Sequence, residues 1–409
     1  MARYGLPDEV KFCKRCVISN QRPGSCVEYT HTAGSLKETI HFDVDGVCDA
    51  CRVAEHKQKI DWSLREQELW ALCDRHRSRR GYFDCVVPGS GGKDSFYAAH
   101  VLKYKYHMHP LLVTWAPHLY TDWGWRNLQR WQAIADHILY TPNREVHRLL
   151  TRLALENLLH PFQPFIIGQK NLAPKLAYEY GLNLVFYGEN EAEYGNPQAG
   201  NGDPRRSAVY HSAPEKIYLS GLSVEDLKDT YRLTNADLEA YFPVQHPVPP
   251  MRKYNDGLQV HYLGYYLRWH PQECYYYAVE HGGFEAAPER TPGTYSKYNS
   301  IDDKIDDLHY HTTFIKYGIG RATYDAAQEI RSGDITREEG AALVQKFDGE
   351  YPLRFEHEVF DYLSVPGLEP MTRAYYLGLC ERFKSPHLWD DGVLRHEVSH
   401  VEETYHSAA

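Results

Sequence analysis

The sequence predicts an α/β protein whose centre is a doubly wound parallel sheet. Short apolar runs alternate with helical patterns between residues 82 and 190, which is typical of parallel strands covered by helices. Five of the nine cysteines fall within the first 51 residues, which indicates a separate small module there. Beyond residue 215 the pattern changes to helices rich in aromatic side chains. We therefore expect a cysteine module over 1–60, an α/β domain over 61–215 and a mainly helical region over 216–409.

The composition argues against several classes of protein. The chain has 409 residues, which suits two or three globular domains. The formal net charge is −10, whereas a general nucleic-acid binder usually carries a basic excess. No apolar run reaches the roughly 18 residues of a transmembrane helix, and residues 1–9 lack an apolar signal segment. We expect a cytoplasmic protein that binds neither membrane nor nucleic acid.

The predicted strands are short apolar runs, and the predicted helices are the longer stretches between them. The strands are expected at Phe83–Pro88, Leu111–Trp115, His137–Tyr140 and Leu182–Tyr187. The helices are expected at Ser95–Tyr106, Trp125–Ala135, Glu145–Leu159 and Leu172–Tyr180, after a charged helix over 61–80. Ligands of a parallel sheet bind beyond the carboxyl ends of its strands. The residues that follow these strands are therefore the first candidates for a binding site.

Two Cys-x-x-Cys pairs define the N-terminal module. They are Cys13 with Cys16 and Cys48 with Cys51. Four thiolates in two close pairs complete a tetrahedral zinc site. The stretch 39–44 alternates polar and β-prone residues and predicts a hairpin, so the module resembles a zinc ribbon that holds structural Zn²⁺. An iron–sulfur or redox role and a set of unpaired buried thiols are the alternatives.

A glycine-rich turn follows the first predicted strand. It reads Ser90-Gly91-Gly92-Lys93-Asp94-Ser95, and its glycines let backbone N–H groups approach an anion at the start of a helix. It is not a Walker A loop, because Asp94 rather than serine or threonine follows the lysine. It resembles the PP-loop of the ATP pyrophosphatases, which cleave ATP between the α and β phosphates. An accidental glycine turn is the alternative.

The PP-loop resemblance implies roles for this loop and for the ends of neighbouring strands. Lys93, Asp94 and Ser95 are the predicted catalytic residues. The residues expected to bind ATP are Ser90, Gly91, Gly92, Lys93, Asp94, Ser95, Thr114, Trp115 and Gly188. Acidic residues after the fourth strand are expected to hold Mg²⁺, which neutralises the leaving pyrophosphate. The candidate magnesium ligands are Glu189, Asn190 and Glu193, and a solvated acidic loop is the alternative.

Charged and aromatic residues in the second half of the chain are candidates for contact with an acceptor. Asp302 and Asp303 each lie four residues before another aspartate, so we expect each pair to share a helix face. The aromatic run 262–277 is expected to be mainly a packing face, and 195–214 a substrate loop. The residues expected to bind an anionic acceptor are Arg205, Arg206, Asp302, Asp303, Lys316 and Arg321.

Taken together, these motifs resemble the N-acetyl sugar amidotransferase family of surface-polysaccharide biosynthesis. The markers are the cysteine pairs, the PP-loop, Tyr187–Asn190, Ser300–Lys304, Lys316–Thr323 and Asp348–Glu350. The resemblance implies conversion of the acetamido group of an anionic sugar, nucleotide-linked or sialic-like, into an acetamidino group. It also implies a separate glutaminase and a cyclase-like subunit that supply ammonia, and a role in lipopolysaccharide or O-antigen synthesis.

Two other functions remain open for the same loop. A tRNA-thiolating PP-loop enzyme would need a positive RNA-binding surface and usually a reactive cysteine near the site, and the net charge of −10 argues against it. A non-catalytic scaffold for the glutaminase would not need an intact Ser90–Ser95 loop. The sequence therefore favours the amidotransferase interpretation.

Overall fold

A five-stranded parallel sheet forms the centre of the protein. The strands are β1 (Cys85–Pro88), β2 (Pro110–Trp115), β3 (His137–Tyr140), β4 (Leu184–Tyr187) and β5 (Gln259–Tyr262). Their order across the sheet is β3-β2-β1-β4-β5. The computed structural model describes residues 2–24, 37–195, 203–206, 218–242 and 257–398. The remaining residues, including most of the predicted substrate loop at 195–214, lie outside the described part.

The order of the strands creates a switch point between β1 and β4. The chain runs outward from β1 to β2 and β3, then returns to place β4 on the other side of β1. Val86 of β1 is consequently paired in register with Leu111 on one side and with Val185 on the other. Crevices open at such points because the two connecting loops diverge, and ligands bind there.

Helices surround the sheet and make up most of the other secondary structure in the described chain. In chain order they are α1 (Asp49–Lys57), α2 (Trp62–His76), α3 (Lys93–Tyr104), α4 (Asp122–Gln132), α5 (Arg144–Leu158), α6 (Gln163–Glu179), α7 (Val224–Tyr231), α8 (Asn235–Leu238), α9 (Leu263–Tyr266), α10 (Pro271–Gly282), α11 (Asp306–Tyr317), α12 (Arg321–Ser332), α13 (Arg337–Phe347), α14 (Glu356–Leu363) and α15 (Arg373–Phe383). Two short antiparallel ribbons pair Tyr218–Leu219 with Leu222–Ser223 and Trp389–Asp390 with Val393–Leu394. Single 3-10 turns lie at Glu191–Tyr194 and Glu239–Tyr241.

Helices cover both faces of the sheet. On one face, Val87 and Phe186 belong to the same buried cluster as Phe96 of α3 and Trp131 of α4. On the other face, strand residues including Val86 and Val185 pack in a cluster with Ala173 of α6. Because both faces are buried, the strands read as continuous apolar runs rather than as alternating patterns. The predicted α/β architecture with a parallel sheet is confirmed.

Most element boundaries shift by a few residues from the sequence prediction, and three larger differences bear on the site. Helix α6 begins at Gln163, nine residues before the predicted start at Leu172, and it continues through Pro174. Strand β5 was not predicted and joins the sheet beside β4. The sheet therefore extends past the expected boundary at residue 215, because pairing between distant strands leaves no local signal in the sequence.

The third difference concerns the paired aspartates. Asp302 and Asp303 were expected on a helix face, but α11 begins only at Asp306. Asp303 instead forms an isolated bridge with Tyr120, which follows β2. The prediction that these aspartates share a helix face with Asp306 and Asp307 was therefore wrong. The Asp303 carboxylate instead accepts hydrogen bonds from the backbone N–H groups of His118 (2.6 Å) and Leu119 (3.2 Å). These bonds attach the start of the C-terminal helical region to the carboxyl edge of the sheet.

The cysteine module is also joined to the rest of the protein. The hairpin expected at 39–44 is reduced to isolated bridges, Phe42 with Cys48 and Pro23 with Thr39. Helix α1 begins directly after Cys48 and packs against the 3-10 turn that follows β4 and against α12. Within the described residues, no helix has both the length and the apolar composition needed to cross a membrane.

Candidate functional site

A cavity of about 580 Å³ lies at the switch point of the sheet. The Ser90–Ser95 loop after β1 and Glu189 after β4 form its floor. The cysteine module contributes Arg22 and Ala50 to its wall, and the C-terminal region contributes residues between Tyr298 and Arg331. Its volume is in the range of ligand-binding pockets. Parts of the chain separated by about 300 residues therefore meet in a single candidate site.

The glycine-rich loop adopts the strand–turn–helix geometry that the sequence predicted. Gly92 has extended backbone angles and caps α3, so the first-turn N–H groups of the helix begin at Lys93. Gly91 has a φ of +86°, and a Cβ atom there would lie 2.7 Å from the Cα of Leu128. A glycine is therefore required at this position for both conformational and steric reasons.

Lys93 is buried in the floor of the cavity with an acidic partner beside it. Its ammonium group donates to the Asp94 carboxylate, and the indole N–H of Trp269 donates to the same carboxylate at 2.9 Å. Burial acts to lower the pKa of Lys93, but the negative charges of Asp94 and Glu189 outweigh it and raise the pKa. Lys93 therefore carries a full positive charge although its side chain is buried.

Glu189 shares this charge cluster. Burial, reinforced by the neighbouring Asp94 carboxylate, raises the pKa of Glu189 to about 7, although Lys93 acts in the opposite direction. The hydroxyl of Tyr194 donates to its carboxylate. Two carboxylates in contact favour either a shared proton or a bound cation. The pair Asp94 and Glu189 can therefore hold a proton or a divalent metal ion near the loop.

Asp302 brings a third carboxylate to the loop from the C-terminal region. The Ser90 hydroxyl donates to it. Burial raises the pKa of Asp302 to about 6; the hydrogen bond from Ser90 opposes this and the charge of Asp303 adds to it. Asp303 also lines the cavity, and its carboxylate lies 2.7 Å from the His118 ring. The sequence predicted Asp302 and Asp303 as acceptor ligands, and the structure places Asp302 against the Ser90–Ser95 loop.

Of the basic residues that were predicted to bind the acceptor sugar, Arg321 lines the cavity. Its guanidinium lies 3.0 Å from the Asp325 carboxylate and 4.8 Å from the centre of the Tyr310 ring. Burial opposes its charge, but Asp325 more than compensates and raises its pKa. Arg321 therefore presents a charged, fixed hydrogen-bonding group to the cavity.

The other basic candidates lie elsewhere. Arg205 is exposed and pairs with Asp203 at 3.2 Å. Arg206 lies over the ring of Tyr187, at 5.3 Å from its centre. Lys316 is buried and donates to the carbonyl of Leu158. The structure therefore does not bring these three side chains to the main cavity.

The predicted magnesium ligands are separated from one another. Asn190 caps the 3-10 turn by accepting from the N–H of Ala192 at 3.2 Å. Glu193 pairs with Lys57 at 2.7 Å, outside the main cavity. Only Glu189 faces the loop, where Asp94 is the carboxylate beside it. Gly188 lies close behind, since a Cβ atom there would be 2.9 Å from the carbonyl oxygen of Asp94.

Thr114 and Trp115, the predicted adenosine contacts, lie beneath the site. The Thr114 hydroxyl donates to the carbonyl of Gly89 at 2.6 Å and so supports the base of the loop. Trp115 is buried against Gly168 of α6, where a Cβ atom would overlap its ring. Neither side chain lines the main cavity. Thr114 and Trp115 were predicted to contact adenosine because they end β2, but a position at the end of a strand does not specify the direction in which a side chain points.

A second cavity of about 250 Å³ lies beyond the carboxyl ends of β2 and β3. It shares Pro117 with the main cavity. The rings of His118 and His147 stack in its wall, 4.6 Å apart between centres, and neither Nε2 atom has a hydrogen-bond partner in the described structure. Burial, with His118 beside it, lowers the pKa of His147 well below its ordinary value. The residues that line this pocket belong to no motif, so the sequence did not predict it.

The aromatic run at 262–277 is divided between packing and the site. Tyr262, Tyr265 and Tyr266 are buried in the cluster on the α3 face of the sheet, as the packing interpretation expects. Trp269, by contrast, reaches the loop, where its ring lies 5.8 Å from the ammonium of Lys93. A single indole from this run therefore positions the catalytic candidates Lys93 and Asp94.

The four cysteines of the N-terminal module form the predicted buried cluster. Their sulfur atoms all lie within 4.8 Å of one another, with 3.8 Å between Cys13 and Cys51 and 3.7 Å between Cys16 and Cys48. Tetrahedral zinc at about 2.3 Å from each sulfur requires sulfur–sulfur distances of about 3.8 Å. The donor set and its spacing therefore fit structural zinc. The side chain of Arg331 hydrogen bonds to Cys16, a contact that the sequence did not predict.

Fold and cavity together define an α/β protein with a candidate ligand site at the switch point of its sheet. Residues 292–399 match a protein family described as LPS biosynthesis protein WbpG-like, C-terminal domain. No curated protein matches the chain significantly. The matched segment includes Asp302, Arg321 and the rest of the C-terminal cavity wall. The family match supports a role in lipopolysaccharide biosynthesis, in agreement with the sequence prediction.

Proposed function

We propose that this protein is an ATP-dependent amidotransferase that converts an acetamido group of an anionic sugar into an acetamidino group during surface-polysaccharide biosynthesis. The observation that carries the proposal is the meeting of the Ser90–Ser95 loop with the LPS-family segment in one cavity. The first part suits phosphate chemistry, and the second connects the cavity with polysaccharide synthesis. The resemblance to sugar amidotransferases joins the two into one reaction.

The loop would hold the phosphates of ATP as substrate. The N–H groups at the start of α3, the Lys93 ammonium and the Ser90 hydroxyl are the donors available for the β and γ phosphates. The second cavity would hold the adenine, since it adjoins the main cavity at Pro117 and the stacked rings of His118 and His147 lie in its wall. Its shared boundary at Pro117 would place the α-phosphate between the two cavities.

Magnesium, if bound here, would neutralise the charge of the leaving pyrophosphate. The carboxylates of Asp94 and Glu189 are the ligands that the described structure places together for it. The Lys93 ammonium group, which contacts Asp94, would stabilise the same developing charge from the protein side.

The reaction balances in two displacements. The acetamido oxygen attacks the α-phosphorus, and the bond to the β-phosphate oxygen breaks to release pyrophosphate. Ammonia then adds to the imidate carbon, its extra proton passes to a base, and the carbon–oxygen bond breaks to release AMP and leave the amidine.

Ammonia would come from a separate glutaminase and a cyclase-like subunit, as the family resemblance implies. Structural Zn²⁺ in the cysteine cluster would fix the module that forms one wall of the cavity. The products would be an amidino sugar, AMP and pyrophosphate.

The test is a reaction of the full-length protein with ATP, ammonium and a nucleotide-linked diacetamido uronic acid. We expect AMP and pyrophosphate in equal amounts, and a product in which mass spectrometry shows one oxygen replaced by NH. Release of ADP, thiolation of added tRNA, or no cleavage of ATP with any acidic acetamido sugar would contradict the proposal.

A further inference from the structure

Two arginines for which the described residues provide no carboxylate partner lie in the wall of the main cavity. Arg22 comes from the cysteine module, between the two Cys-x-x-Cys pairs, and Arg331 comes from α12. Arg22 is only 6% exposed. Its guanidinium donates to the carbonyl of Tyr194 and lies 5.7 Å from the centre of the Tyr324 ring. In the described part of the chain, no carboxylate lies within ion-pair distance of either arginine.

Three other buried or half-buried arginines in the described part of the chain are paired with acids. Arg321 lies 3.0 Å from Asp325, Arg354 lies 2.7 Å from Asp307, and Arg152 lies 2.7 Å from Glu156. Such pairing is the usual condition for burying a charge, because desolvation costs several kcal/mol for an ion without a partner. Arg22 departs from this pattern, and Arg331 hydrogen bonds to the sulfur of Cys16 rather than to a carboxylate. Neither arginine is therefore committed to a carboxylate within the described chain.

The two cations also act on each other unfavourably. Burial lowers the pKa of Arg22, and the positive charge of Arg331 lowers it further. Arg331 is held near the sulfur of Cys16, so the metal cluster and the cavity wall are in contact through it. An anion between the two guanidinium groups would relieve this repulsion, and both side chains face the cavity.

The surroundings indicate the kind of anion. Tyr310, Tyr324 and Asn299 also line this cavity. Aromatic rings with polar tips suit a sugar ring, and planar guanidinium groups suit a carboxylate, which they bind through two parallel hydrogen bonds. The phosphates of ATP have their own donors at the loop.

We propose that Arg22 and Arg331 form a carboxylate subsite, which selects an acidic acetamido sugar over its neutral counterpart. The identity of the ligand as an acetamido sugar rests on the proposed function, whereas the charge selection rests on the two arginines. The cysteine module is then part of the acceptor site rather than only a structural attachment.

The experiment measures binding to the full-length, zinc-loaded protein by calorimetry. The probes are N-acetylglucosaminuronic acid, N-acetylglucosamine and N-acetylglucosamine 6-phosphate. We expect the uronic acid to bind at least about tenfold more tightly than the neutral sugar, since a charged hydrogen bond contributes that much or more. Equal binding of the acidic and neutral sugars, a preference for the phosphate, or no binding would overturn the proposal.

Variants locate the selection in the subsite. Arg22→Gln should remove the preference for the uronic acid, and Arg22→Lys should keep part of it. Arg205→Gln is the matched control, because Arg205 is exposed and outside the cavity, and it should keep the whole preference. If Arg22→Gln does not fold, as judged by zinc content and thermal unfolding, Arg331→Gln provides the second test. A preference that survives removal of either arginine would also overturn the proposal.

The two proposals fail in different ways. If the proposed function is wrong, no acceptor supports formation of AMP, yet the wild-type protein still prefers the carboxylate in the binding assay. If the subsite is wrong, AMP forms with an acceptor while the acidic and neutral sugars bind equally well.

Discussion

The buried side chain of Lys93 lies among acidic groups at the main cavity. Its charge is kept by Asp94 and Glu189, and Trp269 fixes Asp94 from the opposite side. In such surroundings electrostatic interactions are stronger than in water. Single substitutions here should therefore change the chemistry more than the stability of the fold.

Lys93→Ala should reduce AMP formation at least about a hundredfold, because it removes the only full positive charge that the loop itself carries. The reaction is followed by the appearance of AMP and pyrophosphate. Lys105→Ala is the control, since Lys105 lies at the far end of α3 and pairs with Glu66 near the surface. Equal rates for both variants would show that the loop lysine has no role in catalysis.

Glu189→Gln should change how the stability of the protein depends on pH. Burial and Asp94 raise the pKa of Glu189 from 4.5 to about 7, so the folded state binds this proton more tightly than the unfolded state. Its contribution to the free energy of unfolding is therefore present at low pH and is lost as pH rises from 4.5 to about 7. The variant lacks this loss, so its stability relative to wild type should increase from about pH 5 to about pH 8, by on the order of 2 kcal/mol.

Denaturant unfolding of the zinc-loaded protein, without added magnesium or nucleotide, measures this difference. Glu338→Gln is the control, because Glu338 is an exposed residue in the first turn of α13. The opposite trend, with the Glu189 variant losing relative stability as pH rises, would show that the carboxylate is stabilised in the folded protein.

At the scale of elements, the site depends on how tightly the loop fits between β1, α3 and α4. Gly91 adopts a positive φ and touches the backbone of α4 at Leu128. Thr114 of β2 anchors the same turn from below through the carbonyl of Gly89. The loop is therefore shaped by three elements, although its sequence is local.

Gly91→Ala should both destabilise the protein and weaken binding of pyrophosphate. The positive φ alone costs about 1 kcal/mol for a non-glycine residue, and the contact with Leu128 adds to it. Gly333→Ala is a matched control, since Gly333 has a φ of +85° but no atom within 4 Å of the position that a Cβ would take. It should show the smaller loss of stability and normal pyrophosphate binding. Equal effects in denaturant unfolding would mean that the contact with α4 is unimportant.

At the scale of the whole molecule, three distant regions close one cavity. The cysteine module, the sheet and the C-terminal helices each contribute part of the wall. Asp303 and Arg331 join these regions, the first through the backbone after β2 and the second through Cys16. Loss of the metal cluster should therefore affect the cavity as well as the module.

Cys13→Ser and Cys48→Ser should each abolish a zinc content of about one per chain, and should lower both thermal stability and acceptor binding, because a structural metal contributes directly to folding. Metal analysis and thermal unfolding measure the first two effects. Cys73→Ser, at a buried cysteine of α2 outside the cluster, should keep its zinc. A folded protein without zinc, coloured by an iron–sulfur cluster, would contradict the prediction.

Short-range patterns in the sequence were sufficient to predict four strands of the sheet, the cysteine cluster and the glycine-rich loop. Apolar runs between helical stretches were enough to predict β1 to β4, because strands buried on both faces are apolar throughout. The spacing of Cys13, Cys16, Cys48 and Cys51 was enough to predict their cluster, because tight turns bring each pair together. The glycines and the lysine of the Ser90–Ser95 loop could also be recognised from the sequence, because they form one short contiguous motif.

Tertiary structure alone decided which distant side chains share the cavity. Strand β5, the contact of Asp302 with Ser90, and the positions of Arg22 and Arg331 all depend on packing between segments far apart in the chain. The same packing leaves Lys316 and Arg206 outside the cavity, although their charge made them equally good candidates. The type of a residue and its neighbours in the sequence determine the chemistry that its side chain can perform, whereas the packing of distant elements determines which groups that side chain contacts.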